Sequence, residues 1–160
     1  MAHTSLVMFE EELKEVGATI DKLLKEANAK CVFVVDKDGQ LIASSGETHH
    51  IDATSLASLT AGNIAATGGL AKLIGEKEFS ILFHEGEKDN IHISIVAQRV
   101  ILVVIFDGRS SLGLVRLRVK KAGEEMSNVI GKIVKRMESA TSKEQLLEEI
   151  SDDDIENLFG

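Results

Sequence analysis

The stretch that decides the fold is residues 52–75, which read DATSLASLTAGNIAATGGLAKLIG. At helical spacing, one stripe of this segment is apolar apart from a single asparagine: Leu56, Leu59, Asn63, Ala66, Leu70 and Leu73. That recurrence predicts one long helix. Its remaining surface is Ala, Gly, Ser and Thr with Ile64 among them, and Lys72 is the only charged residue between 53 and 75. A helix with one side in water would carry Glu and Lys there, so we expect both sides to contact protein.

The segments around this helix predict an antiparallel sheet, with a further helix at each end. Apolar or alternating runs predict strands at Cys31–Val35, Gln40–Ser44, Phe79–His84, Ile91–Val96 and Val100–Phe106. Helical spacing predicts a first helix over Leu6–Lys25 and a last helix over Leu112–Met137. The resulting order, α-β-β-α-β-β-β-α, predicts an α/β (α+β) domain whose single antiparallel sheet has helices on its faces.

The C-terminal residues predict an appendage to this domain. We expect one domain over residues 1–137, and then a linker and tail over residues 138–160. The linker, Glu138–Lys143, is polar and predicted to be weakly structured. Beyond it, Ile155, Leu158 and Phe159 line one side of a short amphipathic piece. A domain that is already closed by its last long helix rarely needs such a tail for its core.

The composition argues against several classes of function. A formal net charge of -8 is the opposite of the dense basic face that a nucleic-acid binder needs. The longest apolar run, Val100–Phe106, is far shorter than the ~20 residues of a membrane-spanning helix. The one cysteine, Cys31, cannot form an intrachain disulfide, which fits a reducing cytoplasm. We therefore expect a cytoplasmic protein with no nucleic-acid or membrane partner.

The chain offers no convincing catalytic, metal or cofactor site. It lacks the G-x-x-x-x-G-K-[ST] phosphate loop. Its helical glycines each cost about 1 kcal/mol against Ala, so we expect them to allow close approach of another backbone. His49 and His50 with Asp52 have no second cluster at ligand spacing, and we expect them to face water. Cys31 lies in an apolar strand, which predicts an inert core thiol.

Positive charge is concentrated at two places in this acidic chain. Arg109, on a loop, is either an ordinary surface arginine, which we favour, or a residue that enters a GTPase site to neutralise phosphoryl charge. A cluster at the beginning of the last helix is either a solvated face or a dock for an acidic partner surface. Its members are Arg116, Arg118, Lys120 and Lys121.

Four segments together resemble the roadblock/LC7 domain family and, within it, the bacterial MglB type of GTPase-activating protein. They are the helix DATSLASLTAGNIAATGGLAKLIGE, the strand and turn VFVVDKDGQLIASSG, the segment VVIFDGRSSLGLVRLRVKKA and the tail EISDDDIENLF. The resemblance covers nearly the whole chain.

The resemblance implies a homodimer in which two five-stranded sheets join edge to edge into ten strands, with the central helices side by side. It also implies a partner, a small Ras-like GTPase of the MglA type that controls cell polarity and gliding motility at a cell pole. Two protomers would engage one GTPase and activate it by remodelling its switch region, without an arginine finger, a cofactor or a metal. The tail would dock on a second surface of the GTPase and aid nucleotide exchange.

Carried onto this chain, the resemblance assigns three groups of residues. The predicted GTPase contacts, all small, are Ser58, Ala61, Gly62, Ala65, Gly68 and Gly69. The predicted dimer contacts are Ala57, Ile64, Phe79 and Ile81. Ile155, Leu158 and Phe159 are predicted to dock the tail.

Two other functions stay open on the residues alone. The same fold serves in scaffolds or adaptors that have no effect on hydrolysis, and a GTPase assay separates these from an activator. A ligand sensor of PAS or profilin-like architecture has a similar layout, but it requires an internal pocket.

Overall fold

The computed structural model describes the backbone of residues 9–159 and the side chains of residues 9–146. Its elements are, in order, α1 (Glu10–Glu26), β1 (Cys31–Asp36), β2 (Leu41–Gly46), α2 (Ala53–Leu73), β3 (Ile81–Glu85), β4 (Asn90–Val96), β5 (Val100–Phe106) and α3 (Leu112–Phe159). This order confirms the predicted fold. The predicted beginning of the first helix, Leu6, lies outside the described residues.

All five strands form one antiparallel sheet in the order β2-β1-β5-β4-β3. The two continuous apolar runs, β1 and β5, are adjacent and buried on both faces, as a central strand requires. The turn before β2 contains Gly39 with a φ of 91°, a left-handed conformation that suits glycine. Strands β2 and β3 are the two edges.

One face of the sheet is covered by α1 and α3 together. Alternate residues of β1 and β5, such as Val34 and Leu102, belong to one buried cluster with Ile20 of α1 and Met126 of α3. An ion pair joins the two helices, because Nη1 of Arg136 lies 2.8 Å from both carboxylate oxygens of Glu12. That guanidinium holds the pKa of Glu12 below its usual value.

The other face is covered by α2, which lies over β1 and β2. Phe33, Ile101 and Val103 point toward it and form a second, smaller cluster with Ala57 and Ile64. The outer strands β4 and β3 extend beyond α2 on this face, and Ile91 and Leu82 there are only partly buried. The sheet therefore has one face covered by two helices and one face covered by a single helix.

The last helix is longer than the sequence predicts. Residues 138–143, predicted as a weakly structured linker, are helical, and α3 continues to Phe159. The physical reason is the absence of any Gly or Pro between 132 and 159, which leaves nothing to interrupt helical hydrogen bonding. None of the helices in the described residues combines the length and apolar character that crossing a bilayer requires.

A three-faced helix as the candidate interface

Helix α2 begins at a side-chain cap and ends before a glycine with a left-handed backbone conformation. At its beginning, the Asp52 carboxylate accepts hydrogen bonds from the Ser55 backbone N–H at 3.2 Å and from Ser55 Oγ at 2.8 Å. These bonds lower the pKa of Asp52, because they stabilise its charged form. At its end, Gly75 has a φ of 80°, which leaves the helix with a left-handed residue.

The face of α2 that contacts the sheet carries Ala57, Thr60, Ile64 and Ala71. Small residues at most of these positions let the helix lie close to the sheet, and Ile64 fills space beside β1 and β5. Ala57 and Ile64 are only 1% and 9% exposed in a single protomer. The prediction that they contact a sister helix is therefore wrong, since their side chains are already covered by the sheet of their own protomer.

A second face, which we call the leucine face, consists of Leu56, Leu59, Leu70 and Leu73. Three of the four point outward, with Leu59, Leu70 and Leu73 exposed by 74%, 57% and 83%. Beside it, a groove of about 520 Å³ runs between α2 and β4, with Leu56, Leu59 and Ile91 among its walls. Leucines on a water-exposed face add no stability to the isolated protomer, so this face is the one suited to a second apolar surface.

A third face, which we call the small face, consists of Ser58, Gly62, Ala65 and Gly69, all of them exposed. A Cβ added at Gly62, Gly68 or Gly69 would meet no atom within 4 Å. Packing inside the described protomer therefore does not require glycine at these positions.

Ala61 and Gly68, predicted beside the small face, are both partly buried. Ala61 packs next to the β1–β2 turn, where a Cβ at Gly39 would lie 3.6 Å from the Ala61 Cβ. Ala61 therefore lies against the turn of its own protomer. A role in GTPase contact stays a prediction for both residues and for the small face.

The predicted dimer residues outside α2 lie at or before the edge strand β3. Ile81 is 49% exposed, and Phe79 is partly buried just before the strand. The following aromatic residue of the strand, Phe83, stacks on Phe106 with ring centroids 6.1 Å apart. Joining two sheets through β3 stays a prediction, and the edge has the exposed apolar residues it would need.

The predicted basic cluster divides into two parts. Arg118 approaches Glu26 at 3.8 Å, and Lys121 lies near the same α1–α3 contact. Arg116 and Lys120 instead line a groove between α3 and the outer strands. The side chains of the predicted tail residues, Ile155, Leu158 and Phe159, lie outside those that the structure describes.

The other candidate chemical groups have ordinary surroundings. Arg109 Nε lies 3.0 Å from the Asp107 carboxylate, which favours a structural role over the catalytic alternative. Cys31 is 1% exposed, which confirms its core position, and burial raises the pKa of its thiol to about 11, a direction that disfavours the reactive thiolate. His49 and His50 are exposed with ring centroids 3.9 Å apart. Among the described residues, no cluster of three His, Cys, Asp or Glu side chains is arranged to hold a metal.

Sequence reasoning missed two buried polar residues on β4. The alternation of Ile91, Ile93 and Ile95 with His92 and Ser94 predicts a half-buried strand, yet His92 is 1% and Ser94 6% exposed. Both lie beneath α3. The signal that could have indicated this is Val96, which continues the His92 and Ser94 side of the strand into the core.

Known proteins share both sequence and fold with this chain. The family model for the Roadblock/LC7 domain matches residues 15–106. MglB of Myxococcus xanthus is 62% identical, with a TM-score of 0.76 over 80% of this chain and 96% of that chain. The gliding protein MglB of Thermus thermophilus is 29% identical, with a TM-score of 0.76 over 82% of this chain and 99% of that one. An MglB with a tetrameric arrangement gives the same identity, TM-score and coverage.

Proposed function

Because the chain belongs to the Roadblock/LC7 family, we propose that it is a homodimeric GTPase-activating protein for a small Ras-like GTPase of the MglA type. The 62% identity to Myxococcus xanthus MglB supports this partner class, and the gliding protein of Thermus thermophilus supports a role in motility. In this proposal the protein is cytoplasmic, acts at a cell pole and helps to set cell polarity.

The observation that carries the proposal is the presence of two free faces on α2 in addition to the face that packs on the sheet. The leucine face exposes large apolar side chains, as Leu59 and Leu73 show, and we assign it to the sister α2 of the homodimer. The small face exposes almost bare backbone at Gly62 and Gly69, and we assign it to the GTPase. One helix thereby contributes to both interfaces.

In this proposal the chain activates the GTPase by changing the conformation of its switch segment, and it supplies no reacting group. Arg109 is held by Asp107 at 3.0 Å, so it is poorly placed to act as an arginine finger. A switch segment that packs against bare helix backbone can be held in one conformation, and the GTPase's own residues then complete its site. Two small faces, one from each protomer, meet one GTPase.

The experiment that tests the proposal places a bulky charge on the small face. We expect Ala65→Arg to reduce affinity for an MglA-type GTPase by about a hundredfold, because a buried unpaired charge costs roughly 3 kcal/mol or more. Single-turnover GTP hydrolysis and co-elution with the GTPase in GTP-analogue and GDP forms measure the effect. The matched control is Ala18→Arg, at an exposed alanine of α1 on the opposite face of the sheet.

The outcomes separate the candidate functions. Normal stimulation by Ala65→Arg would show that the small face is not the contact. A wild-type chain that binds the GTPase without speeding hydrolysis would be a scaffold of the same fold.

The role of the tail is a separate part of the proposal. Truncation after Met137 should leave a folded dimer. Among the side chains that the structure describes, the buried cluster of α1 and α3 ends at Ile133, and beyond it Val134 and Met137 alone pack at its margin. Nucleotide exchange on the GTPase should slow, which release of a fluorescent nucleotide measures. Loss of the dimer on truncation would instead assign the tail a structural role.

A further inference from the structure

A groove of about 460 Å³ lies between α3 and the outer strands, on the face of the sheet opposite to α2. Ile81 of β3, His92 and Ser94 of β4, and Arg116 and Lys120 of α3 are among its walls. We call it the basic groove. It opens beside β3, which is an edge of the sheet.

Buried polar atoms in this groove have no partner within the described part of the protomer. Both ring nitrogens of His92 and the Oγ of Ser94 lack a hydrogen bond, although the two side chains are 1% and 6% exposed. Buried polar groups are almost always paired in folded proteins, because leaving them unpaired costs free energy. The arrangement therefore leaves three buried polar atoms that a polar group from outside the protomer can pair with.

The charges in the groove indicate what that group is. Arg116 and Lys120 are one helical turn apart and, unlike Arg118 with Glu26, have no ion pair among the described residues. Burial, together with the Arg116 charge, lowers the pKa of His92, so its imidazole is neutral and offers one N–H. All four side chains can donate, and a carboxylate accepts through about four lone pairs. A carboxylate is thus the complementary group.

The acidic tail of the same chain cannot supply this carboxylate. Residues 152–154 belong to the same continuous helix as Lys120, about 48 Å further along at a rise of ~1.5 Å per residue. A carboxylate of a second molecule can reach the groove, because the groove opens at an edge of the sheet.

The register of β3 identifies a residue in a second copy of the chain. Ile81 pairs with Ser94 and Phe83 pairs with His92, so Ile81, Phe83 and Glu85 all point to the α3 side. Two β3 edges related by a two-fold axis run antiparallel, and opposed residues share a face. If the helical layers of both copies stay on the same sides, several registers place Glu85 of one copy opposite Phe79, Ile81 or Phe83 of the other. These registers bring its carboxylate to within two residues of Ile81, which is a wall of the basic groove.

We propose that the basic groove is completed in the homodimer by Glu85 of the partner subunit, whose carboxylate pairs with Arg116 and Lys120 and accepts hydrogen bonds from His92 and Ser94. This inference rests on the homodimer of the proposed function. Glu85 is exposed and makes no ion pair in the described part of the chain, so it is free to take this role. The two-fold axis forms the contact twice.

A charge exchange tests the pairing. Arg116→Glu and Glu85→Arg should each raise the dimer dissociation constant about tenfold or more, because like charges then meet at the edge. The double variant should return it to within about threefold of the wild type, since opposite charges face each other again. Sedimentation equilibrium over a range of protein concentrations at low salt measures these constants.

A matched control and the possible outcomes distinguish a failure of the Glu85 pairing from the absence of the homodimer. Lys121→Glu changes an exposed lysine of α3 outside the groove, and it should leave the constant unchanged. Dimers that resist both single variants would overturn the pairing and leave the proposed function standing. Single variants that weaken the dimer without recovery in the double variant would show that another carboxylate fills the groove. A monomeric wild type would overturn the homodimer and the pairing together.

Discussion

The two faces of the sheet are covered by helices to different extents. On one face, α1 and α3 cover the strands, and side chains such as Ile20, Leu102 and Met126 are fully buried within one protomer. On the other face, α2 alone covers β1 and β2, and its leucine face remains largely exposed. The first face holds the protomer together by itself, whereas the second has apolar surface left over for association.

The difference shows how one small domain separates stability from recognition. Two helices joined by the Arg136–Glu12 pair give the first face a closed core. The single helix on the second face packs through small residues such as Ala57 and Ala71, which leaves its bulky residues free to face outward. Changes on the first face should therefore unfold the chain, and changes on the second should dissociate it.

The largest expected effect is a cavity on the closed face. Leu102→Ala should lower the free energy of unfolding by about 2–5 kcal/mol, because it removes a side chain that is 0% exposed. Urea denaturation at fixed protein concentration measures the loss. Leu117→Ala, at a leucine of α3 that is 61% exposed, should change it by no more than about 0.5 kcal/mol. Equal losses in the two variants would contradict the assignment of the closed face.

A smaller effect is expected on the leucine face. Leu59→Ala should weaken dimerisation about tenfold or more, since burying a leucine contributes about 1.5–3 kcal/mol and the two-fold axis uses the residue twice. The protomer should stay folded, because Leu59 is 74% exposed within it. Sedimentation equilibrium and circular dichroism report the two properties separately. An unchanged dissociation constant would remove the leucine face from the dimer interface.

The smallest expected effect is the pH dependence of the Asp52 cap at the beginning of α2. The pKa of Asp52 is held below its ordinary value of 3.8. Its contribution to α2 is therefore complete above about pH 3.8 and is lost as the pH falls through the lower, folded pKa. The protection of the Ser55 amide against hydrogen exchange, taken relative to its intrinsic rate at each pH, should fall in that acidic range. In Asp52→Ala this protection should be low at neutral pH as well.

Helix α1 provides the contrast for this measurement. It has no side-chain hydrogen bond at its cap residue, Phe9, which instead lies under the Arg136 guanidinium at 4.2 Å. The first turn of α1 should therefore be unaffected by Asp52→Ala. Matching changes in both helices would show that the substitution acts on the whole fold.

Much of the fold could be predicted because its signals are local. The apolar runs of β1 and β5 indicated central strands, and Gly39 and Gly75 marked a turn and a helix end through backbone conformations that glycine favours. The uncharged surface of α2 indicated protein contact on more than one side. The linker prediction is wrong because polar residues alone do not end a helix, and residues 138–143 contain nothing that interrupts one.

The sequence alone determined the order of the elements, the family resemblance and the choice of α2 as the candidate interface, since periodicity, turn residues and motifs are local properties of the chain. Only the tertiary structure decided which stripe of α2 faces inward, and it chose Ala57 and Ile64 over the leucines. It also buried His92 and Ser94 beneath α3. Periodicity reports that a helix or strand has distinct sides, but the burial of each side depends on what packs against it, and that partner is distant in sequence.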